Sequence, residues 1–152
     1  MVLKSLRGLL FVFALASGAA FAQRVPVAIV NYPNIPVVTT GGKAIPTDQV
    51  KKAIQDAALR KGWTLSNDTG DKMTATLVVR NKHTVVVEIA YSADRYSIAY
   101  RDSVNMNYHS EAHYDSRMPR PSSATGPVIH PAYNTWVQEL KEAIRGELMT
   151  KG

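Results

Sequence analysis

Alternating histidines and acidic residues in one short segment are the side chains with the clearest capacity for chemistry. They are His109, Glu111, His113 and Asp115. In an extended chain alternate side chains point to the same side, so all four could share one face. Two imidazoles with two carboxylates suit Zn²⁺ or Cu²⁺. The segment is therefore a candidate metal site. A solvated polar loop is the alternative, because the spacing is not the helical His-Glu-x-x-His signature.

A second candidate site is a mixed basic and apolar surface on the expected β-sheet. We expect its members on the sheet face that the helices leave open, or at the strand ends: Arg80, Val86, Glu88, Arg95 and Arg101. Basic groups attract anionic lipid or polysaccharide, and a partner protein could cover the apolar positions. The alternative is a charged, solvated face on which Glu88 pairs locally with the basic residues.

Two other histidines and several tyrosines are expected to be structural. His130 precedes the proline at which a helix should begin, so its ring should cap that helix or bond a loop carbonyl. His83 is expected at a hairpin tip, exposed to solvent. Tyr91, Tyr96 and Tyr100 fall on the sheet face that the helices cover, where tyrosine buries its ring. A catalytic His130 and an aromatic platform for sugar or peptide are the alternatives.

The composition argues against several classes of activity. The chain has 152 residues, no cysteine and a formal net charge of +6. Without cysteine there is no disulfide, thiol nucleophile or thiolate metal site. The sequence also lacks the serine-hydrolase turn, the phosphate loop and the dinucleotide glycine pattern. We expect neither an enzyme nor, since the chain without residues 1–22 is only mildly basic, a nucleic-acid-binding protein. A hydrolase site assembled from residues distant in sequence stays open.

Residues 1–22 have the pattern of a cleavable secretory signal. Lys4 and Arg7 precede a short apolar run at 9–16, and Ala20-Phe21-Ala22 matches an A-x-A cleavage site. The apolar run is shorter than the ~20 residues that a membrane-spanning helix needs. We expect cleavage after Ala22, export to the periplasm and no stable membrane anchor afterwards. An uncleaved N-terminal anchor is the alternative.

The remaining chain predicts an arm followed by one domain. Residues 23–46 hold four prolines, which favour an extended arm that is either flexible or docked as an edge strand. Residues 47–149 form the expected α+β domain, with an irregular loop at 102–129 that is rich in proline and serine. Helical spacing predicts helices at 48–61 and from His130 onward, and alternation predicts strands from Trp63 and at 73–80, 83–91 and 96–101.

The order of these elements, α-β-β-β-β-α, predicts an architecture. The simplest arrangement is a four-stranded antiparallel meander with two helices packed on one face. A three-residue loop at 81–83 would pair Val79 with Val85, and a four-residue loop at 92–95 would pair Tyr91 with Tyr96. Both registers gather the apolar side chains on one face, which a one-residue slip would destroy.

Three segments together resemble a known family. They are Ala-Leu-Arg-Lys-Gly-Trp at 58–63, Ala-Tyr-Ser-Ala-Asp-Arg-Tyr-Ser-Ile-Ala-Tyr-Arg-Asp-Ser at 90–103 and Ile-His-Pro-Ala-Tyr-Asn-Thr-Trp-Val at 129–137. They are similar to a family of small proteobacterial cell-envelope proteins of unknown role, many described as lipoproteins, over residues 47–108 and 128–149. The resemblance implies an envelope location and an α+β fold, and no activity. The chain departs from the family in lacking the lipidated cysteine and in carrying 109–127 as an insertion.

These features predict an exported, non-catalytic binding or accessory protein of the bacterial cell envelope. The open sheet face and the 102–127 loop are its expected interacting surface. Its expected partner is an envelope protein or an anionic envelope component. The alternative is an envelope protein that binds zinc or copper through His109 and His113. No cofactor is expected apart from such a metal.

Overall fold

The computed structural model describes residues 24–111, 117 and 125–152. Its strands are β1 (Val27–Ala28), β2 (Tyr32–Pro36), β3 (Thr64–Ser66), β4 (Lys72–Val79), β5 (His83–Tyr91), β6 (Arg95–Val104) and β7 (Val128–Ile129), and its helices are α1 (Thr47–Arg60) and α2 (Ala132–Met149). The predicted α+β class is confirmed. The helix predicted at 48–61 is displaced by a single residue at each end.

Five strands form one antiparallel sheet in the order β2-β6-β5-β4-β3, and β1 pairs with β7 in a separate two-stranded sheet. The prediction of a four-stranded meander in the order α-β-β-β-β-α is wrong, because strands also form before α1 and directly before α2. Proline disfavours a helix before α1 but permits an edge strand, which needs its N–H groups on one side only. Pro33 and Pro36 both lie in β2, at the edge of the sheet.

Side-chain-to-backbone hydrogen bonds connect β2 and the residue before it to β6 where regular pairing fails. The register shifts once within β2. Nearby, Asn31 Oδ1 accepts a hydrogen bond of 2.8 Å from the Tyr100 N–H, and the Asn34 N–H donates one of 2.9 Å to Ser97 Oγ. Asn34 has a φ of 53°, in the left-handed region that asparagine tolerates better than most residues. The segment before α1 is therefore docked on the domain.

The β4–β5 hairpin has the predicted faces but a different register. Val79 pairs with His83 and not with Val85, so the three-residue loop, 80–82, lies one residue earlier than expected and each cross-strand partner shifts by two residues. A two-residue shift leaves every side chain on its own face, which is why alternation alone does not detect it. The loop is set by Arg80 and Asn81, whose φ angles of 55° and 50° are those of a type I′ turn.

The β5–β6 hairpin confirms the predicted register. Tyr91 pairs with Tyr96 and Ile89 with Ile98 across the four-residue loop. Further along, the pairing shifts between Val86 and Val87, which marks a β-bulge in β6. Bulges bend a strand and redirect the side chain of the extra residue. This bulge falls beside Arg101, one of the residues expected on the interacting surface.

Both helices pack on the same face of the five-stranded sheet. The buried core that they close includes Val50, Ala53, Ile54, Ala57, Trp63, Met73, Ala75, Val85, Val87, Ile89, Tyr96, Ile98, Tyr133, Val137, Leu140, Ile144 and Leu148. α1 ends where Gly62, with a φ of 80°, donates its N–H to Leu59 O, and the Trp63 N–H donates to Ala58 O. This is the Schellman arrangement, in which a left-handed glycine closes the helix.

Neither helix in the described ranges has both the length and the apolar character that a bilayer span requires.

Candidate functional site

One face of the five-stranded sheet is covered by the helices, and the other face carries mostly half-buried or exposed side chains. We call the second the open face. Its members on the three central strands are Lys72, Thr74, Thr76, Val78, Thr84, Val86, Glu88, Ala90, Ser97, Ala99 and Arg101, and, beyond the bulge, Asp102 and Val104. Because side chains alternate along a strand, all of these point away from the core residues just described. The open face is thus the part of the sheet accessible to a partner.

Charged and hydroxyl side chains pair with one another across the middle of the open face. The Arg101 guanidinium donates a hydrogen bond of 2.6 Å to Thr74 Oγ1, reaching across β5 to β4. Lys72 Nζ lies 3.2 Å from Glu88 Oε1 on the neighbouring strand. Thr74 is only 5% exposed, which makes it a rare buried polar residue on this face. The centre of the open face therefore consists of polar side chains that already pair with one another through a hydrogen bond and an ion pair.

An apolar row crosses the open face at the end nearest the β4–β5 turn. Val78 pairs with Thr84, and Thr84 pairs with Val104, so the three residues stand side by side on neighbouring strands. Val78 is 53% exposed and Val104 is 54% exposed. Val86 is half-buried two residues along β5 from Thr84. Large apolar side chains that share an exposed strip are typical of surfaces that bind a partner.

A shallow pocket of about 230 Å³ lies at the opposite end of the open face. Its lining is Asn34, Asp71, Lys72, Ala90, Tyr91, Ser92, Arg95, Tyr96 and Ser97. Arg95 donates hydrogen bonds from Nε and Nη2 to Asp94 Oδ2, at 3.1 and 2.8 Å. These bonds, with one from the Ser92 hydroxyl, lower the pKa of Asp94 to about 2. The charge of Arg95 is thus balanced by its neighbour.

The five residues predicted for the interacting surface therefore do not form one cluster. Val86, Glu88 and Arg101 share the open face. Arg95 stands at the pocket end, whereas Arg80 occupies the β4–β5 turn at the other end. Lys72 and Thr74, which hold Glu88 and Arg101 in place, were not among the predicted site residues. Their position on the same face follows from strand alternation, but their cross-strand partners depend on the register.

The candidate metal segment is described only in part. His109 pairs with Val128 in an isolated β-bridge, with two backbone hydrogen bonds of 2.9 Å. Glu111 is also described, whereas His113 and Asp115 lie outside the described residues. In the ranges that are described, no three histidine or acidic side chains come close enough together to hold a metal ion.

Two histidines that are 47 positions apart in sequence face each other beside the start of α2. The ring centroids of His83 and His130 are 6.4 Å apart with planes at 29°. His130 Nδ1 accepts a hydrogen bond of 3.1 Å from the Ala132 N–H, which confirms the expected capping role. His83 is half-buried and its Nδ1 lies 2.7 Å from Asn105 O, so the expectation of a freely exposed ring is wrong.

The tyrosines lie mainly in the core. Tyr91, Tyr96 and Tyr133 are buried, and Tyr100 stacks on Tyr108 with ring centroids 4.9 Å apart. Burial, followed by a hydrogen bond to Asp68, raises the pKa of Tyr91 to about 12. The Tyr133 hydroxyl is buried and has no hydrogen-bond partner among the described residues. These positions fit the core interpretation better than an open aromatic platform.

No protein-family model, curated protein or solved structure matches the chain.

Proposed function

We propose that this is an exported protein of the bacterial cell envelope that acts by binding another envelope protein through its open face. The observation that carries the proposal is the pair of exposed valines, Val78 and Val104, which flank the half-buried Thr84 and border the paired polar groups around Arg101. An apolar strip bordered by ordered polar side chains resembles the core and rim of a protein interface. The leader pattern at 1–22 supports export.

The paired carboxylates of the described residues favour recognition over catalysis. General acid–base catalysis needs groups whose pKa lies near the working pH. Hydrogen bonds from lysine or arginine lower the pKa of Asp56, Asp68 and Asp94, away from neutrality. On the open face itself, Glu88 is paired with Lys72. Groups already held by partners orient an incoming surface without first being reorganised.

Site-specific photo-crosslinking in cells would test the binding surface. A photoreactive amino acid replaces Val78 or Val104 in the tagged protein, and Leu59 is the matched control because it is an exposed apolar residue on α1, 61% exposed. We expect both sheet positions to give the same adduct and Leu59 not to give it. Val104→Asp should remove the adduct at Val78, since a charge in the strip opposes burial. Adducts that are identical at all three positions, or absent from both sheet positions, contradict the proposal.

Export has its own test, independent of the partner. The protein is recovered from cells by osmotic shock, and its N-terminal residue is determined. We expect a periplasmic chain that begins at Gln23, as cleavage after Ala22 requires. A chain that keeps residues 1–22 and sediments with membranes would instead support the uncleaved anchor.

Zinc or copper binding near His109 is the second candidate function. His109 is extended, bridged to Val128, whereas Glu111 has 3₁₀ backbone, so a shared site would have to bring these two side chains together by a turn and not by strand alternation. Calorimetric titration with Zn²⁺ and Cu²⁺ measures the metal affinity of the purified protein and of His109→Ala. A dissociation constant below about 100 μM that depends on His109 supports the metal site. A weaker affinity, with a binding free energy under about 5.5 kcal/mol, contradicts it.

A further inference from the structure

Two cavities lie side by side where the end of β2, the β5–β6 turn and the C-terminal half of α2 meet. Both are lined by Val38, which follows β2 and is 50% exposed. The wider cavity measures about 360 Å³, and its lining includes Val37, Val38, Lys43, Ala44, Ala93 and Asp94. The narrower cavity measures about 120 Å³ and is lined by Ile35, Pro36, Val38, Tyr96, Arg145 and Leu148. We call the two cavities together the Val38 groove.

The narrower cavity is mainly apolar and reaches down to the core. Tyr96 and Leu148 are each 1% exposed, and the half-buried Ile35 packs against the same core. Arg145 is exposed, and its guanidinium lies 3.7 Å from the Glu142 carboxylate. A side chain of this length can line a cavity with its methylene groups while its charge stays in water. This cavity therefore suits the end of a hydrocarbon chain.

The wider cavity carries one positive charge that no neighbour balances. Asp94 also belongs to its lining, but Asp94 accepts the two hydrogen bonds from Arg95 described above. Lys43 is exposed, and none of the ion pairs among the described residues involves it. That statement includes Gly152, whose backbone lies beside Gly41. An anionic group at this end of the groove would therefore meet an unpaired ammonium.

Hydrogen bonds hold the turn that carries Lys43. The Thr39 hydroxyl donates to Lys43 O at 2.8 Å, and the Gly42 N–H donates to Thr39 O at 3.0 Å. Gly42 has a φ of 64°, a conformation that glycine adopts without strain. On the other side of the cavity, the Val37 N–H donates to Asp94 O at 2.9 Å. The walls of the groove are thus formed before a ligand arrives, which lowers the entropic cost of binding.

We propose that the Val38 groove binds an anionic molecule with a single hydrocarbon chain, such as a fatty acid or a one-chain phospholipid. The anionic group lies beside Lys43, and the chain crosses Val38 into the narrower cavity. The wider cavity alone has a volume within the range of ~300–1,000 Å³ that is typical of small-ligand sites, which combine an apolar lining with few polar groups. The β5–β6 turn and the valines of the open face are at opposite ends of the sheet. This proposal therefore does not depend on the partner of the open face.

Calorimetric titration of the purified protein with decanoate, below the concentration at which decanoate forms micelles, tests the proposal. We expect saturable binding of one decanoate per chain. Each further methylene buried in an apolar site strengthens binding by up to about fourfold. Decanoate should therefore bind about tenfold more tightly than octanoate, whereas binding by charge alone would give equal affinities.

Three variants assign the binding to the groove. Val38→Asp places a charge where the two cavities meet, and it should weaken the binding of decanoate and of uncharged decanol by more than about tenfold. Lys43→Gln should weaken decanoate binding about threefold to fivefold, as expected for an exposed ion pair, and leave decanol binding unchanged. Lys82→Gln is the matched control, because Lys82 is likewise exposed and absent from the described ion pairs. Thermal unfolding verifies that each variant is folded.

A second ligand distinguishes the two sources of the chain. Lysophosphatidylglycerol, an anionic phospholipid with one chain, is titrated into the same variants. Tighter binding of decanoate assigns a fatty acid, and tighter binding of lysophosphatidylglycerol with the same variant effects assigns a one-chain phospholipid. Binding of neither ligand, undiminished binding by Val38→Asp, or equal losses in Lys82→Gln and Lys43→Gln overturns the proposal.

Discussion

His130 links helix capping to protonation at the scale of a single residue. Its unprotonated Nδ1 accepts the Ala132 N–H, and protonation of that atom removes the acceptor. Burial, Arg24 and His83 lower the pKa of His130. The folded state therefore binds this proton more weakly than the unfolded chain, whose histidine pKa is about 6.5. Stability should be complete above that value and fall as the pH drops below it.

Denaturant unfolding between about pH 7.5 and about pH 5 measures this effect. We expect the unfolding free energy to decrease across that window in the native protein and to change less in His130→Asn, because an asparagine oxygen caps a helix without titrating. Asp56, Asp68 and Asp94, whose pKa values are lowered, act only at more acidic pH. An equal slope in both proteins would show that His130 is not the responsible group.

Removal of the buried Tyr133 hydroxyl should not lower the free energy of unfolding. It has no hydrogen-bond partner among the described residues, and an unpaired buried polar group costs about 1–3 kcal/mol. Tyr133→Phe should therefore leave the unfolding free energy unchanged or raise it by up to about 2 kcal/mol. Tyr100→Phe is the control, because the Tyr100 hydroxyl bonds Ser103 at 3.0 Å and its loss should destabilise the protein. Destabilisation by Tyr133→Phe equal to that of the control would indicate a hidden partner.

At the scale of the element, two glycines in or beside helices should respond oppositely to alanine. Gly62 closes α1 with a φ of 80°, so Gly62→Ala should lower the unfolding free energy by about 1–2 kcal/mol. Gly146 lies inside α2 with no atom within 4 Å of an added Cβ, so Gly146→Ala should raise it by about 0.5–1 kcal/mol. Thermal and denaturant unfolding measure both. The same sign for the two variants would contradict the closure of α1 at Gly62.

Elements with long periodic patterns could be predicted from sequence, and short strands could not. α1, α2 and the three long strands each bury several residues at a regular period, which fixes their type and their faces. β1 and β7 are two residues long, too short to show any period, and they form because each is the other's partner. The positions of the candidate site residues could likewise be predicted only where they lie on a regular strand. Alternation placed Val86 and Glu88 on one face, but the contact between His83 and His130 depends on how distant segments pack.

At the scale of the whole molecule, the segment before α1 is tied to both ends of α2. Near its start, Asn134 Nδ2 donates to Ala28 O at 2.9 Å, while Asn134 Oδ1 accepts the Val30 N–H at 3.0 Å. Further along, the Thr40 hydroxyl donates to Met149 O at 2.6 Å. Between these points Ile35 is partly buried against the core. The segment therefore contributes to the same packed unit as the helices.

Deletion of residues 24–38 tests whether this segment is part of the folding unit or an arm on a domain at 47–149. The deletion removes β1 and β2, leaves one side of β6 unpaired and withdraws Ile29, Tyr32, Ile35 and Val37 from the core. Four half-buried side chains of this size contribute about 3–6 kcal/mol, a large share of the 5–15 kcal/mol that typically stabilises a domain. We expect the shortened chain to unfold at a clearly lower temperature and to associate through the new sheet edge, as measured by calorimetry and size-exclusion chromatography. Asn134→Ala removes only the two hydrogen bonds with Ala28 and Val30. It should lower the unfolding temperature by less than the deletion does and should not cause self-association. A shortened chain that stays monomeric and unfolds at the original temperature would place the boundary of the folding unit at the start of α1.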